Sequence, residues 1–268
     1  MKLKTWTLAL LCAALPFGTM AHEFWIEPNA YQVSPGDALT GKLLVGENFK
    51  GSEQSYLPRN FRRFDMRCDG RMANVPGRAG NRPALAVKAP GDGLCVATHV
   101  TQDFSLTYEE WAKFLAFVDH KDFPNVLAEH AARGLPETDF RETYSRHAKS
   151  LIAVGSGQGS DSAIGLATEI VAEANPYTDN VSGGMPIRVL YNGRPRANAQ
   201  VELFAKSPGG SVDVTLHRTD GNGRVRLPVR AGYAYLADAV VIRAVEPEKA
   251  GDPVWETLWA SLTFAVPG

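Results

Sequence analysis

His22 is the residue of this sequence whose position most favours metal chemistry. If the chain is cut after Ala21, His22 becomes the first residue and its α-amino group is freed. A free α-amino group has a pKa of about 8, so a metal ion can displace its proton. The amine nitrogen and Nδ1 of the same imidazole can then chelate one ion, and imidazole suits Cu, Ni and Zn. We therefore predict a divalent transition metal (Ni, Co or Cu) at His22.

Further metal ligands are sought among the other histidines, since the sequence contains six in all. His99 lies in a strand-like segment of the same predicted domain and is the first choice. His147, three residues after Tyr144 on a predicted helix, is the next choice. The remaining histidines are predicted to lie on solvated faces: His120, His130 and His217. No H-E-x-x-H or C-x-x-C cluster occurs, so no closed structural zinc site is predicted.

Catalytic motifs do not emerge from the sequence, and we predict that the protein is not an enzyme. No G-x-S-x-G elbow occurs. The glycine-rich residues 155–160 follow a strand, but their spacing is not G-x-G-x-x-G, so they are interpreted as a hairpin loop. A copper-dependent oxidase that uses the amine and imidazole of His22 remains an alternative.

The first 21 residues have the pattern of a cleavable signal peptide. Lys2 and Lys4 precede an apolar run over residues 6–15, and Thr19-Met20-Ala21 places small residues at positions −3 and −1 of a cleavage site. The apolar run is shorter than the roughly 20 residues that span a bilayer. We therefore predict cleavage after Ala21 and a periplasmic protein; a lipoprotein anchored at Cys12 is the alternative.

The charge of the mature chain argues against some partners. The leader contains two of the 28 basic residues and none of the 29 acidic ones, so the remaining chain has a net charge of −3. This balance argues against nucleic acid and against an anionic membrane surface as partners. No later segment is apolar enough to cross a membrane, so no direct membrane insertion is expected after cleavage.

Two cysteines remain when the leader, with Cys12, is removed. Cys68 and Cys95 both lie in strand-like segments, and an even pair in an oxidising compartment favours a disulfide. In the chain-entropy model such a loop of about 27 residues contributes roughly 3 kcal/mol. A metal site built on the two thiolates is the alternative.

The elements predict a mostly β fold made of two Ig-like or prealbumin-like β-sandwich domains with a helical insertion. The first domain covers residues 22–175, where Pro/Gly turns divide short strands. Its insert, at about 107–148, contains three predicted helices. The first begins at a capping box, Thr107-Tyr108-Glu109-Glu110; the second is opened by Pro124 and ended by Gly134; the third, from about residue 139, carries Phe140, Tyr144 and Ala148 on one face.

The second predicted domain covers residues 176–268. Strands are predicted at 187–191, 200–205, 212–219, 224–229, 233–244 and 258–266. Asn192-Gly193 and Asp220-Gly221-Asn222-Gly223 are typical of hairpin turns. The domain is therefore predicted to be an Ig-like or carboxypeptidase-regulatory-like sandwich.

Several segments resemble a family of exported bacterial proteins. The similar segments, in chain order, are His22-Glu23-Phe24-Trp25-Ile26-Glu27-Pro28, Tyr144-Ser145-Arg146-His147-Ala148-Lys149, Asn175-Pro176-Tyr177 and Trp259-Ala260-Ser261-Leu262-Thr263-Phe264. The family has no defined activity and is grouped with NikM-type nickel and cobalt uptake components. The resemblance implies a periplasmic, non-catalytic protein of divalent-metal handling, with His22 as the residue to carry over.

Two functions follow as hypotheses. The first is a periplasmic accessory protein that binds a divalent metal ion through His22, for nickel, cobalt or copper uptake or delivery. The alternative is a structural or interaction module that docks onto a membrane transporter or receptor, with residues 255–259 as a candidate contact.

Overall fold

The computed structural model describes residues 22–89 and 91–268. The predicted signal peptide and Cys12 lie outside these residues. Within them, no helix is both long enough and apolar enough to span a bilayer.

Strands dominate the described chain, and a pair of helices interrupts them. The strands are β1 (Glu23–Pro28), β2 (Gln32–Val33), β3 (Ala38–Glu47), β4 (Lys50–Gln54), β5 (Phe61–Cys68), β6 (Arg71–Asn74), β7 (Leu85–Lys88), β8 (Gly93–Thr101), β9 (Phe104–Tyr108), β10 (Phe140–Val154), β11 (Thr168–Ala172), β12 (Met185–Tyr191), β13 (Arg194–Pro195), β14 (Gln200–Lys206), β15 (Val212–Arg218), β16 (Arg224–Leu227), β17 (Ala234–Ala244) and β18 (Trp255–Ala265). The helices are α1 (Trp111–His120) and α2 (Val126–Ala132). The fold is mostly β, as predicted.

A ten-stranded sheet forms the centre of the protein. Its strand order is β15-β14-β17-β18-β10-β8-β5-β6, and β2 and β9 also pair with β10. β10 pairs in parallel with β18 and antiparallel with β8. Because β10 precedes residue 175 and β18 follows it, this sheet contains strands of both predicted domains. The division near residue 175 stays a prediction.

Two smaller sheets cover opposite faces of the central sheet. One contains β1, β3, β4 and β7, and the other contains β11, β12, β13 and β16. Successive side chains of a strand point to opposite faces. Accordingly, Leu151 of β10 packs in the core with Ile187 of β12, whereas Ile152 packs in the core with Leu43 of β3. The sandwich packing is confirmed, and both sandwiches use the central sheet.

The helices cover the central sheet on the side of β1. Phe114 and Phe117 of α1 are buried against Trp255 and Trp259 of β18. α2 lies between Pro124 and Gly134, as predicted, and Gly134 has a φ of +64°, a left-handed conformation that suits a helix end. The predicted capping box is wrong, because Thr107 belongs to β9 and α1 begins after Glu110 without a side-chain cap.

The third predicted helix is also wrong. Residues 140–154 form β10, the longest strand, which pairs with β9 at its start and with β18 along most of its length. Phe140, Tyr144 and Ala148 are four residues apart, and this spacing fits one face of a strand as well as one face of a helix. The helical insertion is therefore confined to α1 and α2.

The disulfide between Cys68 and Cys95 is present and joins β5 to β8. The two residues are directly opposite in the antiparallel register, with their Cα atoms 4.3 Å apart. Asn192 and Gly193 form the predicted hairpin turn between β12 and β13, both with positive φ. The turn at residues 220–223 is not a hairpin, because β15 pairs with β14 whereas β16 pairs with β12. The predicted hairpin loop at residues 155–160 is also wrong, because it leads from β10 in the central sheet towards β11 in another sheet.

Candidate functional site

A buried ionic cluster lies between the central sheet, β1 and α1. Its centre is Lys121, which directly follows α1. The Lys121 Nζ lies 3.0 Å from Glu23 Oε1 of β1 and 2.6 Å from Glu202 Oε1 of β14. It also lies 3.3 Å from Asp238 Oδ2 of β17. All four side chains are more than nine-tenths buried.

The strand register forces two of these carboxylates together. Glu202 and Asp238 are directly opposite each other on β14 and β17, a position where like charges repel. Lys121 offsets this repulsion and also contacts the face of the Trp259 ring, 4.8 Å from its centroid. With all groups ionised, three carboxylates contact the Lys121 ammonium, and the buried Arg146 is a second cation that interacts with Asp238 and Glu23.

Burial and charge shift the pKa values of this cluster in different directions. Burial lowers the pKa of Lys121, but the carboxylates of Asp238, Glu23 and Glu202 outweigh it and hold that pKa above its ordinary value. Burial raises the pKa of Asp238 to about 7, against the attraction of Lys121 and with the repulsion of Glu23 and Glu202. Lys121 therefore stays charged, and Asp238 gains a proton at a higher pH than an ordinary aspartate does.

His120 extends the cluster to the surface. Its Nε2 lies 3.3 Å from Glu202 Oε2, and half of its side chain is exposed. The hydrogen bond to Glu202 raises the pKa of His120. Hydrogen bonds from His120 and Lys121, with their positive charges, outweigh burial and lower the pKa of Glu202.

Glu23, His120 and Glu202 bring three possible metal-ligand atoms within 4.8 Å of one another. They line a cavity of about 230 Å³ together with Glu47, Phe117 and Val214, among others. Lys121 contacts Oε1 of each glutamate, whereas Glu202 Oε2 faces His120. Carboxylate oxygen and imidazole nitrogen are a donor set that first-row divalent metals accept.

His22 contacts one of the residues that line this cavity. Its Nδ1 is 3.0 Å from Oε1 of Glu47, one of the lining residues, and its side chain is about one-third exposed. Its backbone carbonyl accepts a hydrogen bond from Nη2 of the buried Arg146 at 3.2 Å. The fold therefore places His22 beside a lining residue of the cavity, although it is not among the three residues whose donor atoms converge.

His99 is enclosed by aromatic rings on the inner side of β8. The ring centroids of Phe24, Phe61 and Phe64 lie 4.9–5.2 Å from that of His99. Burial lowers the pKa of His99 to about 3, so the imidazole is neutral at neutral pH. His99 also lines a separate small cavity together with Arg146 and Thr101.

His147 is buried on β10, where its Nε2 is 3.2 Å from the hydroxyl of Ser145. Burial and, to a smaller degree, the charge of Arg62 lower the pKa of His147 to about 4. Within the described residues, neither His99 nor His147 belongs to the group of converging donor atoms. Whether either one binds metal stays a prediction.

Sequence patterns did not identify four of these residues as part of a site: His120, Lys121, Glu202 and Asp238. The signal was available, because Glu202 and Asp238 interrupt the apolar runs of β14 and β17. A charged residue inside an apolar strand requires a buried partner.

Several side chains that were predicted to be exposed are buried. His130 is 1% exposed, and its ring lies between the Pro136 carbonyl and the indole N–H of Trp255, so its predicted solvated position is wrong. Trp255 and Trp259 are covered by the helices and are not an exposed contact.

These observations define a class of protein. It is a mostly β protein in which a central sheet is covered on both faces, with a buried ionic cluster that opens to the surface through a histidine. The chain belongs to a family described as a domain of unknown function, DUF4198, whose model matches residues 19–243.

The similarity of this chain to curated proteins and to solved structures is low. A search of curated proteins found no match. Among solved structures, the D0-D1 domain of intimin is 13% identical with a TM-score of 0.23, over 91% of this chain and 97% of that one. A tetra-tandem repeat from the extending region of a large adhesion protein is 10% identical with a TM-score of 0.22, over 91% and 49%. At these TM-scores neither similarity supports an argument about function.

Proposed function

We propose that this protein is an exported, non-catalytic accessory protein that binds one divalent transition-metal ion through Glu23, His120 and Glu202. The observation that supports this proposal best is the convergence of two buried carboxylates and one half-exposed imidazole at a cavity. The two carboxylates among these three donors favour a cation at the cavity.

The donor set suits an ion that is carried and released. Glutamate oxygen and histidine nitrogen bind nickel, cobalt and copper in their divalent states. Three protein ligands leave coordination positions open for water or for a ligand from another protein. Lys121 holds Oε1 of both glutamates, so their second oxygens remain for the ion while Lys121 keeps its place.

His22 supplies further donors in this proposal. If the signal peptide is cleaved after Ala21, the freed amino group belongs to a residue whose imidazole contacts Glu47, and Glu47 lines the same cavity. The ion is then captured by His22 and bound more deeply by Glu23 and Glu202. Uptake or delivery of nickel, cobalt or copper in the periplasm, with a membrane transporter as recipient, is the corresponding role.

Calorimetry with Ni²⁺, Co²⁺ and Cu²⁺ tests the site. The exported protein, with its start at His22 verified by intact mass, should bind about one equivalent of at least one ion. His120→Ala should weaken this binding by roughly ten-fold or more, since a ligand is lost. The matched control is His217→Ala, which removes a partly exposed histidine on β15 and should leave metal binding as in the wild type.

The pH dependence gives a second readout. Metal binding requires neutral imidazole, and the hydrogen bond to Glu202 raises the pKa of His120 above its ordinary 6.5. The affinity should therefore fall as the pH falls through this raised pKa. An added residue before His22 should weaken binding if the N-terminal amine is a ligand. Affinity that is indifferent to His120, to the added residue and to pH would exclude the proposal.

The alternative function is an interaction module that docks onto a transporter or receptor without metal. The exposed apolar side chains of Val214 and Leu216 on β15 favour it, since they lie on an edge of the central sheet. Capture of a membrane protein from periplasm that a chelator leaves unchanged would support this alternative over the first.

A further inference from the structure

The edge strand β15 has features that match a second copy of itself. It ends the order of the central sheet, and among the described residues no strand pairs with its other side. Val214 is 42% exposed and Leu216 is 61% exposed, both on one face of this strand. An exposed edge strand with apolar side chains is a template for pairing with another strand.

The hydrogen bonds of β15 reveal which backbone groups are free. Ser207 N–H donates to the Ser211 carbonyl, and Thr219 N–H donates to the Ala199 carbonyl. The register between β14 and β15 has no shift. Because alternate residues of a strand bond to the same side, the odd-numbered residues bond to β14 and the even-numbered residues point to the open edge.

The sequence of β15 is complementary to itself in antiparallel orientation about Thr215. Val214 then faces Leu216 of the second copy, so the exposed apolar residues cover each other. Asp213 faces His217 of the second copy, which places a carboxylate opposite an imidazole. Val212 faces Arg218, and no like charges oppose each other.

The free backbone groups of β15 fit the same register as its side chains. Val214 and Leu216 are even-numbered, so they would form a hydrogen-bonded pair, whereas the two copies of Thr215 would form a non-hydrogen-bonded pair. The opposite edge of the sheet is less suited to pairing with a second copy. That edge is β6, which is only four residues long, and short edge strands are one way in which proteins avoid such pairing.

We infer that two copies of this chain associate through antiparallel pairing of β15 about a two-fold axis at Thr215. The two-fold axis closes the assembly at a dimer. Val214 also lines the cavity beside His120, so the second copy would contribute Leu216 to the surroundings of that cavity. One strand pair is a small interface, so the dimer should be weak.

Sedimentation velocity over about 10 µM to 1 mM, a range suited to weak affinities, tests association. With a chelator present, the wild-type mass should rise towards twice the monomer mass. Leu216→Lys should remain a monomer, because two ammonium groups would replace the apolar contact. Met72→Lys is the matched control, since Met72 is equally exposed on β6, and it should behave as the wild type. A monomeric wild type at every concentration overturns the inference.

Cross-linking tests the register. In the exported protein, whose start at His22 is verified by intact mass, Thr215→Cys should form a disulfide-linked dimer under mild oxidation, because non-hydrogen-bonded partners have Cα atoms about 4.5 Å apart. The native pair Cys68 and Cys95 spans 4.3 Å. Asp213→Cys is the control and should form several-fold less dimer, since its partner is His217. Equal cross-linking of the two variants overturns the proposed register.

Discussion

Glu142 is a carboxyl group that the fold keeps away from water. It lies on β10, accepts a hydrogen bond of 2.9 Å from the Tyr108 hydroxyl, and accepts another from Thr257. Burial raises its pKa to about 7, although these hydrogen bonds and the charge of Arg146 lower it. The folded protein therefore holds a proton on Glu142 at a pH where the unfolded chain has lost it.

The free energy of unfolding should depend on pH because of this proton on Glu142. A carboxyl whose folded pKa is raised stabilises the protein most at acid pH, and this contribution is lost as the pH rises to about 7. Glu142→Gln cannot titrate, so its free energy of unfolding relative to the wild type should increase by about 1–3 kcal/mol from pH 5 to pH 8. Urea unfolding across this range measures the difference.

The exposed Glu137 provides the control for that experiment. Glu137→Gln removes an exposed carboxyl, so its difference from the wild type should change much less between pH 5 and pH 8 than that of Glu142→Gln. Equal changes in the two variants would contradict a proton held on Glu142 in the folded protein.

At the scale of elements, a second buried ion-pair cluster joins β10 to the sheet that contains β11. The Lys149 Nζ lies 2.8 Å from Asp161 Oδ2 and 3.1 Å from Glu169 Oε1. The Glu169 carboxylate also accepts the backbone N–H groups of Ile164 and Leu166. These contacts position residues 161–166, which connect the glycine-rich residues 155–160 to β11.

Lys149→Met should destabilise the protein by about 3–5 kcal/mol, because it leaves two buried carboxylates without a cation. Lys50→Met, an exposed change on β4, should alter stability by less than about 0.5 kcal/mol. Guanidinium unfolding of both variants gives the comparison. Similar small effects in the two variants would show that water reaches the Lys149 cluster.

The elements that the sequence predicted well are those with local signals. The strands after residue 185 were placed within a few residues, because alternation and Asn192-Gly193 are local features. β10 was partly mistaken for a helix, since Phe140, Tyr144 and Ala148 have a spacing that fits both structures. Only pairing with β9 and β18 distinguishes them, and β18 is more than a hundred residues away along the chain.

At the scale of the whole molecule, the central sheet links the two predicted domains. β18 pairs with β10 over nine residue pairs, from Glu142 with Trp255 to Ser150 with Thr263. β12 pairs with β11, which precedes residue 176. A fragment of residues 176–268 would therefore expose the paired edges of β18 and β12.

We expect the isolated fragment 176–268 to be unfolded, because it loses the strands on which β18 and β12 pair. The whole protein should unfold in one cooperative transition. Circular dichroism and amide proton dispersion of the fragment measure this. A folded fragment with sharp, dispersed signals would instead support the two separate sandwiches predicted from the sequence.

The sequence by itself determined the features that depend on neighbouring residues or on simple counting. These are the mostly β class, the strands after residue 185, α1 and α2, and the disulfide of Cys68 and Cys95. α1 follows from the helical spacing of Trp111, Phe114, Leu115 and Val118, and the other features follow from alternation, turn residues or an even number of thiols. None requires knowledge of distant contacts. The proposal for His22 also came from the sequence. It is tested by the mass of the exported protein, which locates the cleavage site, and by calorimetry of metal binding.

Only the tertiary structure decided which residues share the candidate site. Glu23, His120, Glu202 and Asp238 come from four different parts of the chain, and their convergence depends on the order of strands and on where α1 ends. Sequence patterns indicate which residues are buried but not which buried charges contact each other. Long-range strand pairing determines these contacts, because a charge can be buried only where a distant partner compensates for its lost hydration.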